Sequence, residues 1–222
     1  MRADQFIAEI RWERAGPFID MTQQMQKAFG NSAGMGYYSR VYNHPTKSDV
    51  MIKIFLNDRG YAEWLRWSLQ NQNNPYVPQV IPHDDGSIIK TYKNISKIIN
   101  GQLSSRFAVV NLRKLKKATK HDIDQFINYL MSFLVDDGTK TNINKFRHRR
   151  YSNTDNRLEK FDVYAWKQVY LNSKSSDPHL SSVAAEFIRY LIKFGHLDLH
   201  DENLMIDLDT NHIVFIDVLS VG

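Results

Sequence analysis

The sequence predicts an α+β fold in two lobes, with a small antiparallel sheet over residues 30–111 and a shortened helical lobe over 112–222, behind a helical extension at 1–29. Three observations carry this. Short apolar runs bounded by turn residues gather in the first half, at Val50–Phe55, Gln79–Ile81, Ser87–Tyr92 and Arg106–Asn111. The long apolar patterns of the second half, Ile123–Leu134 and Val183–Lys193, have helical spacing. Near the end two more strand-like runs, Leu204–Ile206 and Ile213–Asp217, flank an Asp-Leu-Asp-Thr-Asn turn.

Composition sets the outer bounds. With 222 residues, 42% hydrophobic and 12% aromatic, the chain can bury a full core, which excludes a disordered protein. It has no cysteine, so disulfides, thiolate catalysis and cysteine zinc sites are excluded, and a reducing interior such as a bacterial cytoplasm fits. The first residues do not read as a signal peptide and no apolar run is long enough to span a bilayer, so no membrane partner is expected. The net charge of +5 and a pI near 9.2 favour acidic partners but are common among nucleotide-using enzymes, so they tilt only slightly towards nucleic acid, which is not the favoured partner.

Taken in order, residues 1–29 break at Gly16-Pro17 and resume with Phe18, Met21, Met25 and Phe29 at helical spacing. Gly34-Met-Gly36 follows. Two glycines one residue apart let a turn pass close to phosphates, whose charge unhindered N–H groups can bind, although ordinary turns use the same pair. Lys53 sits inside an apolar strand, where a buried ammonium needs an anion. That anion could be a bound phosphate; in an edge strand the lysine would simply alternate out to solvent. Residues 60–72 read as a helix whose single acid, Glu63, is the candidate partner for Lys53 or else a solvated side chain.

The loop 73–78 leads to the strands around Asp84-Asp-Gly86, and Leu112–Lys117 is the natural place for a hinge. Between the long helical patterns lies a polar, basic stretch, 140–177, in which the threonines and asparagines around 139–156 suit a loop and Phe161–Leu171 has aromatic residues at helical spacing.

The densest chemistry is His196-x-Asp198-x-His200-x-x-Asn203, on a loop leaving a helix, with Asp217 at the end of the return strand. Two acids and an amide form a hard-oxygen set suited to magnesium. Two other readings are a surface hairpin with turn acids and a zinc cluster of His196, His200 and His212, whose spacing is loose for zinc.

In this order, glycine loop, strand lysine, helix, hinge, helix, polar loop and final aspartate, the chain resembles the protein-kinase-like fold. It is most similar to the early serine/threonine kinases of short-tailed bacteriophages, the host-shutoff kinases, over roughly residues 30–222. The matching pieces are Gly34-x-Gly36-x-x-Ser39-x-x-Tyr42-x-His44-Pro45, Ile52-Lys53, Asp198-x-His200-x-x-Asn203-x-Met205 and Ile216-Asp217-x-x-Ser220. In that family serine also stands for the third glycine of the loop. The resemblance implies an ATP- and Mg2+-dependent kinase acting on host proteins, with ATP between the lobes. Gly34, Gly36, Ser39 and Val41 would cover the nucleotide, Lys53 held by Glu63 would contact its phosphates, Asn203 and Asp217 would hold magnesium, and Asp198 would take the hydroxyl proton. His200 would brace the loop and His196 would pack beneath it.

The chain also departs from that pattern. Leu197 stands where many kinases carry arginine, Val218-Leu219 replaces Phe-Gly, and only five residues follow Asp217 in the sequence, so no activation segment is expected within it. Hence two rivals are weighed: a kinase-like binding protein that blocks a host machine by occupying its surface, and a small-molecule phosphotransferase of the aminoglycoside type. The second class shares the loop motif but uses acidic groups for its cationic substrates, whereas Arg147-His-Arg-Arg150 is basic. Ser152 and Thr154 in this stretch are candidates for self-phosphorylation.

Overall fold

A computed structural model describes residues 29–35, 39–56, 59–93, 106–135, 137–145 and 157–219. Residues 1–28 of the helical extension expected over 1–29, Gly36, the run 146–156 with Ser152 and Thr154, and Ser220 lie outside the described residues. The architecture is α+β, with two antiparallel sheets and five helices among the described residues. Contacts divide the chain into two compact units, with crossings at 58/59, 78/79 and 114/115.

The first unit is a sheet of β1 (Gly34–Met35), β2 (Ser39–Asn43), β3 (Val50–Leu56), β4 (Val80–Ile81), β5 (Ile89–Lys93) and β6 (Arg106–Arg113), ordered β1-β2-β3-β6, with β4 and β5 both along the far side of β6. β3 lies between β2 and β6, so Lys53 is on an interior strand rather than an edge. Tyr42, Ile52, Ile54 and Val109 are buried in one face, as the period of two requires. Behind them the buried His83 ring accepts from Asn111 Nδ2 at Nδ1 (3.2 Å), which leaves Nε2 to donate to the Val109 carbonyl (3.4 Å).

The second unit holds α1 (Arg59–Gln70), β7 (Leu115–Lys117), α2 (Lys120–Ser132), α3 (Asp137–Lys145), α4 (Val163–Ser173), α5 (Pro178–Phe194), β8 (Leu204–Asp207) and β9 (Ile213–Phe215). Its caps are local chemistry. Thr119 and Asp122 form a capping box on α2, Asp162 caps α4, and Asp177 followed by Pro178 starts α5. The core is aromatic at its centre, with Trp166 edge-on to Phe187 (4.8 Å) and Phe187 edge-on to Phe215 (5.0 Å).

Two expectations change here. Residues 59–78, read with the sheet, cluster instead with the helices, because Trp64, Tyr76 and Val77 are buried in the helical core. Residues 137–145, read as loop, form a helix. Burial of Ile143 (1% exposed) in contact with that core outweighs the weak helix preference of its threonines and asparagines.

Candidate active site

Helix α5 ends where Gly195 takes φ 81° and returns its N–H to the Leu191 carbonyl (2.9 Å), a conformation that favours glycine. Beyond it Leu197 and Leu199 are buried, and Asp198 and His200, alternating with them, are half-buried. His196 is exposed, not packed beneath the loop, with Nδ1 3.1 Å from the Phe194 carbonyl. A short 3₁₀ turn, Asp201–Asn203, then feeds β8.

Backbone hydrogen bonds join this loop to the segment after β9. Asp198 N–H donates to the Val218 carbonyl (2.9 Å), and Ile216 N–H donates to the Asn203 carbonyl (3.0 Å). Asp217 is therefore bracketed, its two chain neighbours each tied to one of the other two site residues. Inside the loop Asn203 Nδ2 donates to the Asp198 carbonyl (2.8 Å), which fixes the orientation of the amide. The same Nδ2 is 3.1 Å from His200 Nε2. Asn203, only 9% exposed, is thus held by its amide nitrogen, and its Oδ1 makes no hydrogen bond among the described residues. An uncommitted amide oxygen and the Asp217 carboxylate are a donor set that could hold magnesium. His200 Nε2 also lies 3.5 Å from Asp198 Oδ1.

The zinc alternative finds no support in the geometry. Among the described residues no group of three or more histidines and acids gathers as a metal cluster, and the His212 ring stands edge-on to Tyr76 (5.8 Å) at the turn end of the β8–β9 hairpin.

In the sheet unit Gly34 pairs with Val41, Val41 with Lys53, and Lys53 with Val110. Three predicted nucleotide-binding residues thus fall in one lateral row, and directly opposed residues share a face. Ser39 is buried on the Val41 face and pairs with Phe55. Lys53 is 5% exposed, so it does not alternate out to solvent.

Glu63 meets cations of its own unit. Its carboxylate lies 3.3 Å from Lys193 and 3.7 Å from both Arg189 and Arg66. Partial burial pushes this carboxyl up, but the hydrogen bond and charge of Lys193, with Arg66 and Arg189, outweigh it and leave the group below its ordinary value.

Trp64, not among the residues expected near the site, donates its indole N–H to the Phe215 carbonyl (3.0 Å), two residues before Asp217. The signal available in the sequence was Gly60, Tyr61, Trp64, Leu65 and Ser68 on one helix face, where small residues among apolar ones mark a close approach.

The sequence matches no protein-family model and no curated protein.

Proposed function

We propose that the chain is an ATP- and magnesium-dependent protein serine/threonine kinase of two-lobed, protein-kinase-like build, akin to the early phage kinases and acting on host proteins in a bacterial cytoplasm. The observation that carries this reading is the bracketing of Asp217 by backbone bonds to Asp198 and Asn203. Phosphoryl transfer asks a protein mainly for positioning and charge neutralisation, so three well-placed oxygens go far.

In this reading Asp198, half-exposed beside His200, accepts the proton of a serine or threonine hydroxyl as its oxygen turns toward phosphorus. Asn203 Oδ1 and Asp217 would hold magnesium, and Asn203 Nδ2 keeps Oδ1 turned outward by its grip on the Asp198 carbonyl. Magnesium, when bound, offsets the charge on the phosphoryl oxygens. Lys53 neutralises nucleotide phosphates from its buried row, and Gly34 at the end of that row offers backbone without a side chain in the way.

The test is incubation of wild type, Asp198→Asn and Asp217→Ala with labelled ATP, magnesium and a bacterial lysate. Labelled proteins with wild type alone are expected. A magnesium- and ATP-dependent thermal shift without any labelling would overturn catalysis in favour of a kinase-like binding protein. Labelled small molecules in place of proteins would favour the aminoglycoside type.

A further inference from the structure

The segment that carries Asp217 has left its sheet. β9 ends at Phe215 and residues 216–219 are irregular, so no strand ladder holds the aspartate in place. Its position is set by single contacts: the loop backbone holds Ile216 and Val218 on either side of it, and helix α1 supplies two more just outside that pair. On one side Trp64, fully buried, donates its indole N–H to the Phe215 carbonyl. On the other, Gly60 lies so close to Leu219 that an added Cβ would stand 2.5 Å from the Leu219 carbonyl oxygen and 2.8 Å from its Cβ. Asp217 is two residues from each contact.

The same helix is tied to the start of the catalytic loop. Trp64 packs on Phe187 of α5 (5.8 Å), and Glu63 bridges Arg189 and Lys193 near the end of α5, one turn before Gly195 releases the loop. Helix α1 therefore spans from the root of the Asp198–Asn203 loop to the Asp217 segment.

We propose that α1 is a positioning strut for Asp217, acting through Trp64 and Gly60, and that Glu63 anchors the strut to α5. This rests on the reading of Asp217 as a magnesium ligand. Groups behind a metal ligand commonly change metal affinity about 10–100-fold when removed, because they fix where the ligand oxygen stands. Trp64→Phe keeps the ring volume in large part and deletes the N–H. Gly60→Ala forces the helix and Leu219 apart where the obstacle is backbone and cannot rotate away.

The experiment is Mn2+ binding to the full chain, read from the signal of free Mn2+ by electron paramagnetic resonance, alongside thermal melting and the Mg2+ dependence of phosphoryl transfer. Trp64→Phe and Gly60→Ala should each weaken Mn2+ binding about 10-fold or more. Each should also raise the Mg2+ needed for half-maximal transfer, with the rate largely restored at saturating Mg2+. Ile127→Val, a core change in α2, should lower the melting temperature and leave Mn2+ affinity unchanged. If the two α1 variants melt lower but bind Mn2+ like wild type while Asp217→Ala does not, the strut is overturned and the magnesium site stands. If wild type binds Mn2+ no better than Asp217→Ala, the magnesium reading fails and takes the strut with it. The two variants act at opposite sides of Asp217, so either one that folds decides the matter.

Discussion

At the scale of single residues, Asp198 and Asn203 have separable duties. The Asp198 main chain does structural work, receiving Asn203 Nδ2 and donating to Val218, while its carboxylate stays half-exposed. Replacing the carboxylate should therefore spare the loop. Asp198→Asn is expected to lower phosphoryl transfer by about 10²–10⁴-fold, the usual contribution of a positioned base. ATP-dependent thermal shifts should remain at the wild-type level. Near-normal turnover would remove Asp198 from the mechanism.

At the scale of elements, the α1–α5 contact has a sign that acid can test. The Glu63 carboxyl is held below its ordinary value in the folded chain, so its contribution is present above the usual glutamate range and is lost as pH falls through the folded value. Glu63→Gln should cost about 0.2–1 kcal/mol at neutral pH, the range for partly solvated pairs. The gap to wild type should close as the pH is taken down through and below the ordinary glutamate range. A gap that persists in acid would mean packing, not charge, joins the two helices. A double-mutant cycle should couple Glu63 to Lys193.

The start of α5 is a stronger joint. Asp177 caps the helix through Leu180 N–H (2.9 Å), and its other oxygen accepts from the Tyr76 hydroxyl (2.6 Å) and the Tyr129 hydroxyl (2.9 Å). Burial, then the bond to Asp177, pushes the Tyr129 phenol up to about 12. Asp177→Ala should cost about 0.5–2 kcal/mol for the cap. Leaving the buried Tyr76 hydroxyl without its acceptor should add about 1–3 kcal/mol. Denaturant titration measures the sum, and a loss below 0.5 kcal/mol would show that the joint is not under load.

At the scale of the whole molecule, the helical unit is discontinuous in sequence. Residues 59–78 leave the chain of the sheet to enter its core, and 79–114 return before the unit resumes at Leu115. A fragment beginning at Leu115 would lack Trp64, Tyr76 and Val77, all buried in that core. It is expected to show no cooperative thermal transition by circular dichroism, since losing one large aromatic alone costs about 3–5 kcal/mol against a typical stability of 5–15. A cooperative melt would mean the core closes without α1.

Much of the backbone geometry around Asp198, Asn203 and Asp217 was legible in the sequence because it is local. A glycine beyond a helix, leucines alternating with Asp198 and His200, and an Asx turn at Asp207 that folds β9 back on β8 depend on neighbours within a few positions. The row of Gly34, Val41 and Lys53 follows from alternation once the register is set. What the sequence left open were choices between partners far apart in the chain. Glu63 could meet Lys53, 10 residues away, or Lys193, 130 residues away, and residue type does not distinguish two cations. Residues 137–145 had the composition of a loop until one buried isoleucine gave them a core to pack on. Helix α1 had an amphipathic face that fitted either unit. Only the tertiary structure decided, because the indole N–H of Trp64 needs a buried acceptor and Phe215, 151 residues on, supplies it.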